Sequence, residues 1–263
     1  MFKVNYVKPT QNLVYDQRHL GPAGQELVQD IDQKILPIED ARAKAQAFSL
    51  QHNGFELAQT RFPFKEFEDD KKIEHTLYPL AQHWLQKKMG ASEVVLFDHT
   101  FRSTSHRAKT AFNRAPVKTV HNDYTPSSAR HRLYQETQDK PELRNKRHQF
   151  INIWMPVYHP VEESPLAMVD LTTVSDQDYH HLKLIYPDRV GQLAGISYNP
   201  QHKWYYFSDM KPGEALLLKV FDSNRNKDSS GTPHSAVEAV ANSPVKHSRA
   251  SIEIRTIAFF EEH

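Results

Sequence analysis

The sequence predicts a mainly β fold, an antiparallel barrel or jelly roll with an N-terminal arm and flanking helices. Three observations carry this. Apolar pieces of strand length follow one another closely from residue 150 onward: 150–154, 166–171, 193–198, 203–207, 214–221, 234–237 and 251–260. Turn formers separate them, including Asn199-Pro200, Lys211-Pro212-Gly213 and Asp228-Ser229-Ser230-Gly231. No helical pattern alternates with these strands, which argues against a βαβ arrangement.

At 263 residues the chain suits one all-β unit, read as a single domain over 1–263 with an arm at 1–65 and a core at 66–263. Lys and Arg number 33 against 32 Asp and Glu. No global field therefore draws the protein to nucleic acid or to an anionic membrane. Cysteine is absent, which excludes disulfides, thiolate metal sites and a cysteine nucleophile. The N-terminus Met-Phe-Lys-Val-Asn-Tyr lacks an apolar h-region, and the longest apolar runs are of the size of 94–97 and 215–218. A cytoplasmic protein without a membrane partner is the expectation.

Taken in order, residues 1–65 mix short apolar patches with Pro and Gly. They read as an extended arm with one helix near 39–51, stopped around Asn53-Gly54. The clearest helix spans about 70–89. Ile73, Leu77, Leu80, Trp84 and Leu85 recur at helical spacing, acids lead, Lys87 and Lys88 trail, and Gly90 closes it. Such a stripe is a core face.

From Ser92 the period changes to that of strands, 93–97 and 100–101, around a turn-like Asp98-His99. A short strand at 117–120 then leads into His121-Asn122-Asp123. Residues 125–148 are the most polar insertion, with Arg130, Arg132, Lys140, Arg144, Lys146 and Arg147 against Glu136, Asp139 and Glu142. A stretch this long is either a lid over a site or a solvated, charge-rich loop.

The chemistry centres on His121 and Asp123. Two residues apart on an extended strand, their side chains share a face and can hold one metal ion. A third ligand comes from elsewhere, and His234 is the candidate. Two histidines and one carboxylate on one face of a metal form the arrangement of non-haem Fe(II) oxygenases, with open positions opposite for a co-substrate and dioxygen.

A His-x-Asp pair is weak by itself in a chain with 16 histidines. A hydrogen-bonded pair at a turn is its ordinary explanation. Order strengthens the metal reading, because Arg249-x-Ser251 lies 15 residues beyond His234 (249 − 234) on the last strand. A guanidinium fork and a hydroxyl on one face can bind a carboxylate bidentately, as the distal carboxylate of 2-oxoglutarate requires.

The same parity carries Glu253 and Arg255 inward while Ile252 and Ile254 face out. A bulge near Arg255-Thr256 would reconcile this with the apolar Ile257 and Phe259, and Arg255 is the alternative anchor. His202 is a rival ligand, placed here in a loop at the barrel rim. Trp204, Tyr205 and Tyr206 line a pocket or fill the barrel.

These pieces together resemble the gibberellin-desaturase-like oxidoreductases, a group that includes a protein of cephamycin methoxylation. The matching segments are 97–102, 120–125, Ile151-Asn152-Ile153-Trp154 with Pro156, 164–167, 198–207, 221–223, Pro233-His234 and 249–255. The resemblance implies a double-stranded β-helix using Fe(II) and 2-oxoglutarate to hydroxylate or desaturate a small-molecule substrate with dioxygen. It implies His121, Asp123 and His234 as ligands and Arg249 with Ser251 on the co-substrate. Asn152 and Tyr206, inside the matching segments, are expected beside them. The group often carries Asn-x-Trp-Arg-Pro where this chain has Met155 in place of Arg, a departure that bears on substrate polarity or a lid contact. A non-catalytic binding barrel and a barrel metalloenzyme without 2-oxoglutarate are the alternatives.

Overall fold

The computed structural model describes residues 1–9, 13–16, 18, 31–105, 113–185, 187, 190–225, 230–241 and 244–261. Its strands in chain order are β1 (Phe2–Val7), β2 (Leu13–Asp16), β3 (Ile31–Leu36), β4 (Glu39–Asp40), β5 (Phe55–Gln59), β6 (Glu93–Ser103), β7 (Asn113–Arg114), β8 (His121–Asn122) and β9 (Arg147–Pro156). There follow β10 (Leu166–Val169), β11 (Tyr179–Ile185), β12 (Val190–Ile196), β13 (Trp204–Tyr206), β14 (Glu214–Asp222), β15 (His234–Ala236), β16 (Glu238–Ala239) and β17 (Ala250–Phe260). A six-stranded sheet runs β5-β14-β9-β17-β6-β7 and an eight-stranded sheet runs β2-β11-β12-β8-β15-β10-β13-β4. A small third sheet runs β16-β1-β3. The pairing is mainly antiparallel, and the fold is the predicted jelly roll, with an aromatic core formed by Phe150, Trp154, Tyr205, Phe221 and Phe259.

Strand β17 shows why the sequence pattern was ambiguous. Its even-numbered residues Ala250, Ile252, Ile254, Ala258 and Phe260 pack in one cluster with Ile73, Leu77, Ala81 and Leu85. The odd-numbered Ile257 and Phe259 belong to the other cluster, with Phe150 and Trp154. Both faces are covered, so the strand is apolar on both and needs no change of phase. A register shift does fall between Arg255 and Thr256, but the extra residue lies in the partner strand. Arg255 faces Asp98 and Thr256 faces Leu96, leaving Phe97 as the bulge, while pairing with β9 continues unbroken.

The turn expected at Asp98-His99 is therefore absent, since β6 runs through it. These polar residues are held in a strand by Arg255 on Asp98 and by Tyr78 and Asp70 on His99.

The predicted helix is formed by α1 (Asp70–Lys72), a π turn at Ile73–Leu77 and α2 (Tyr78–Met89). The Asp69 side chain accepts from the Lys72 N–H, and Gly90 ends the helix at φ 63°. Ile73, Leu77, Ala81 and Leu85 are fully covered. Leu80 and Trp84 are only half-buried. Each large apolar side chain so covered contributes about 1.5 to 3 kcal/mol of burial.

The described residues within 1–65 supply sheet strands: β1 and β3 build the third sheet, β5 borders the six-stranded sheet, and β2 and β4 border the eight-stranded one. Of the helix expected at 39–51, only a 3-10 turn at Arg42–Ala47 forms. Residues 125–148 contain α3 (Pro126–Glu136) and a 3-10 turn at Pro141–Asn145. Thr125 and Ser128 exchange reciprocal capping bonds, Pro126 opens the helix, and Ala129, Leu133 and Leu143 enter the main core. The capping signal Thr-Pro-Ser-Ser was masked by the charges around it.

Candidate metal centre

The centre lies between the two large sheets. In the eight-stranded sheet His234 of β15 pairs directly with His121 of β8, and Asp123 follows one residue after β8. Residues directly opposite in an antiparallel pair share a face, so the two imidazoles meet, with ring centroids 4.5 Å apart. His121 Nε2 lies 3.5 Å from Asp123 Oδ1, and His234 Nε2 lies 3.9 Å from the same oxygen. One donor atom from each residue falls within 4.8 Å of the other two, and this is the one such group among the described residues.

Each imidazole is held in one tautomer by the chain that carries it. His121 Nδ1–H donates to the Thr119 carbonyl at 2.8 Å, and His234 Nδ1–H donates to the Thr232 carbonyl at 2.9 Å. A carbonyl only accepts, so the proton sits on Nδ1 and the Nε2 lone pairs face Asp123. Burial, with His121 alongside, pushes His234 below the usual histidine range and keeps it neutral. Burial works against ionisation of Asp123, but its polar and charged neighbours, the Arg255 guanidinium among them, prevail. Its carboxyl is held well below the ordinary range. Two bare imidazole nitrogens and an ionised carboxylate at this spacing fit a divalent first-row metal, Fe(II) included.

The opposite wall is the six-stranded sheet. Asn152 Nδ2 donates to Asp123 Oδ2 at 2.7 Å, and Arg255 Nε approaches the same oxygen at 3.4 Å. The remaining Asn152 oxygen is buried without a partner. Arg255 is otherwise occupied by Glu253 at 2.6 Å, Asp98 at 2.9 Å and the Thr100 hydroxyl at 3.0 Å.

Arg249 differs. It is buried, lies 5.1 Å over the Trp154 ring, donates through Nε to Ser251 Oγ at 3.2 Å, and also donates to the Ser164 carbonyl. Among the described residues it has no ion pair with a carboxylate. Burial, reinforced by Arg102, pushes it down to about 9. Ser164, whose carbonyl it meets, sits at φ 45°, a conformation unfavourable for a non-glycine residue.

The structure thus brings His121, Asp123 and His234 together, and sets Ser251 against Arg249. Asn152 touches the Asp123 carboxylate directly. Tyr206 is misplaced: it pairs with Ala167, packs 5.2 Å from Phe2 and belongs to the outer cluster. Its neighbour Tyr205 is in register with Met168, and Met168 with His234, so Tyr205 has the inward parity. His202 is no ligand, being bonded to Asp178 at 3.0 Å and to the Tyr6 hydroxyl at 3.2 Å. What sequence reading missed was the joint role of Glu253 and Arg255, although strand parity already carried both inward.

No helix among the described residues is long and apolar enough to cross a membrane. The chain is 29% identical to the hydroxylase/desaturase efuI of Hormonema carpetanum, over 98% of this chain and 94% of that protein. It is 26% identical to the alpha-ketoglutarate-dependent dioxygenase phiK of a fungal species (strain ATCC 74256), over 88% and 86%. The solved structure of the iron and alpha-ketoglutarate-dependent endoperoxidase NvfI has the same fold, with a TM-score of 0.86 at 23% identity, covering 99% of this chain and 98% of that one. The family model described as "Oxidoreductase/YMDC permease-like domain" matches residues 4–259, and the chain belongs to that family.

Proposed function

We propose that this protein is an Fe(II)- and 2-oxoglutarate-dependent oxygenase that hydroxylates or desaturates a small-molecule metabolite, within the gibberellin-desaturase-like branch. The observation that carries the reading is the convergence of His121, Asp123 and His234, with an unneutralised buried arginine farther along the opposite wall. Asn152, at Asp123, and Trp154, under Arg249, are two residues apart on β9, about 7 Å of strand. That offset suits a five-carbon dicarboxylate with one end at the metal and the other on the guanidinium. The relatives named as hydroxylase/desaturase and alpha-ketoglutarate-dependent dioxygenase support it.

In this reading His121, Asp123 and His234 hold iron on one face. When bound, iron with 2-oxoglutarate supplies the oxidising chemistry needed to take hydrogen from carbon. The chain's own residues bind, orient and exclude water. Ser251 directs the Arg249 fork, and Trp154 covers one of its faces. A charge held in this dry pocket interacts far more strongly with an anion than one in water.

The test is 2-oxoglutarate turnover, read as succinate formed in the presence of Fe(II) and air. Wild type is expected to form succinate slowly even without substrate, and His234→Ala to form none. Absence of succinate from wild type, or succinate undiminished in the variant, would favour the non-catalytic or non-2-oxoglutarate alternatives.

A further inference from the structure

We infer that Asn152 and Arg255 are positioning residues that divide the labour of the Asp123 carboxylate, leaving Oδ1 alone to serve the metal. This rests on the metal-centre reading and extends it to two side chains on the opposite sheet.

The asymmetry is visible atom by atom. Oδ1 is the oxygen near both imidazole Nε2 atoms, at 3.5 and 3.9 Å. Oδ2 is the oxygen met by Asn152 Nδ2 at 2.7 Å and by Arg255 Nε at 3.4 Å. An ionised carboxylate only accepts, so the Asn152 amide must present its NH2 group to Asp123. The two donors are neighbours by construction, since Arg255 and Asn152 are a directly paired position of β17 and β9. With Oδ2 engaged by both, its lone pairs are drawn away from the metal, and the carboxylate is steered to bind through one oxygen.

Arg255 is itself fixed. Glu253, Asp98 and the Thr100 hydroxyl hold its fork, and the β6 bulge at Phe97 sets Asp98 opposite Arg255. The histidines by contrast take their orientation from carbonyls two residues back along their own chain segments. Asp123, just past the end of β8, takes the hydrogen bonds to its Oδ2 from across the barrel.

The experiment uses the full chain with Co(II) as the probe, in Asn152→Leu and Arg255→Lys. Measured are the Co(II) dissociation constant, the visible d–d spectrum, and the melting temperature of the metal-free protein. Outer partners of metal ligands typically govern affinity by about 10- to 100-fold. Each variant is expected to bind Co(II) about 10- to 100-fold more weakly, with a d–d band changed in shape and intensity as the second oxygen gains access. Asn152→Asp, which removes the NH2 donor and adds a negative charge, is expected to weaken binding at least as much as Asn152→Leu. Folded variants with wild-type affinity and spectrum would overturn the inference, as would weakened binding that follows the loss in melting temperature while the d–d band of the bound metal stays as in wild type. Failure of wild type to bind Co(II) would instead refute the metal-centre reading beneath it.

Discussion

Arg249, one residue before β17, and Arg255, within it, lie six residues apart (255 − 249) at the same strand parity, and their surroundings are opposite. Arg255 is ringed by the carboxylates of Glu253, Asp98 and Asp123, which override its burial and raise it well above the ordinary arginine value. Arg249 has a tryptophan face, a hydroxyl and a carbonyl, and burial lowers it to about 9. A charge already neutralised is engaged in structure; a buried charge without a carboxylate partner is free to meet an anion. Under the proposed function, that difference favours Arg249 over Arg255 as the co-substrate anchor.

Substitution of either arginine separates the two roles. The larger effect on the fold is expected at Arg255, because its removal strands three acids, two of them largely buried. Arg255→Ala should lose about 3 to 5 kcal/mol of stability, read by urea denaturation. Arg249→Ala leaves no uncompensated acid behind, so a similar loss there would erase the distinction.

The second effect is on the ligand. Charge-assisted hydrogen bonds contribute about 1.5 to 3 kcal/mol, so Arg249→Ala should weaken 2-oxoglutarate binding by roughly 10- to 100-fold. Isothermal titration at fixed metal would measure it, with the metal affinity itself unchanged. Arg249→Lys, which keeps the charge but loses the fork, should fall between. Equal loss of metal and co-substrate affinity would mean that Arg249 supports the whole pocket instead of one carboxylate.

Much of this was legible because chemistry and spacing are local properties. His121 and Asp123 on alternate strand positions, and Arg249 with Ser251, are patterns of period two that survive into the structure. The helix was legible from its stripe and from Gly90. Residues 1–65 were not, because short edge strands such as β4 and β5 are specified by their partners more than by their own composition. Tyr206 was misassigned for a related reason: an aromatic run apolar on both faces does not say which ring points inward, and the register with Met168 selects Tyr205. Asn152 was expected at the co-substrate. It touches the Asp123 carboxylate, beside Arg255, because β9 and β17 pair Asn152 with Arg255, a contact between strands far apart in sequence.

On the proposed function, His121, Asp123, His234 and the unneutralised Arg249 form a joint site for Fe(II) and 2-oxoglutarate. The most direct measurement is an anaerobic titration of the full chain with Fe(II) and then 2-oxoglutarate, followed by visible absorption. A metal-to-ligand charge-transfer band should grow only when both are present, and should require much higher 2-oxoglutarate in Arg249→Ala. No band in wild type at saturating concentrations of both, or a band with the same 2-oxoglutarate dependence in Arg249→Ala, would contradict the account.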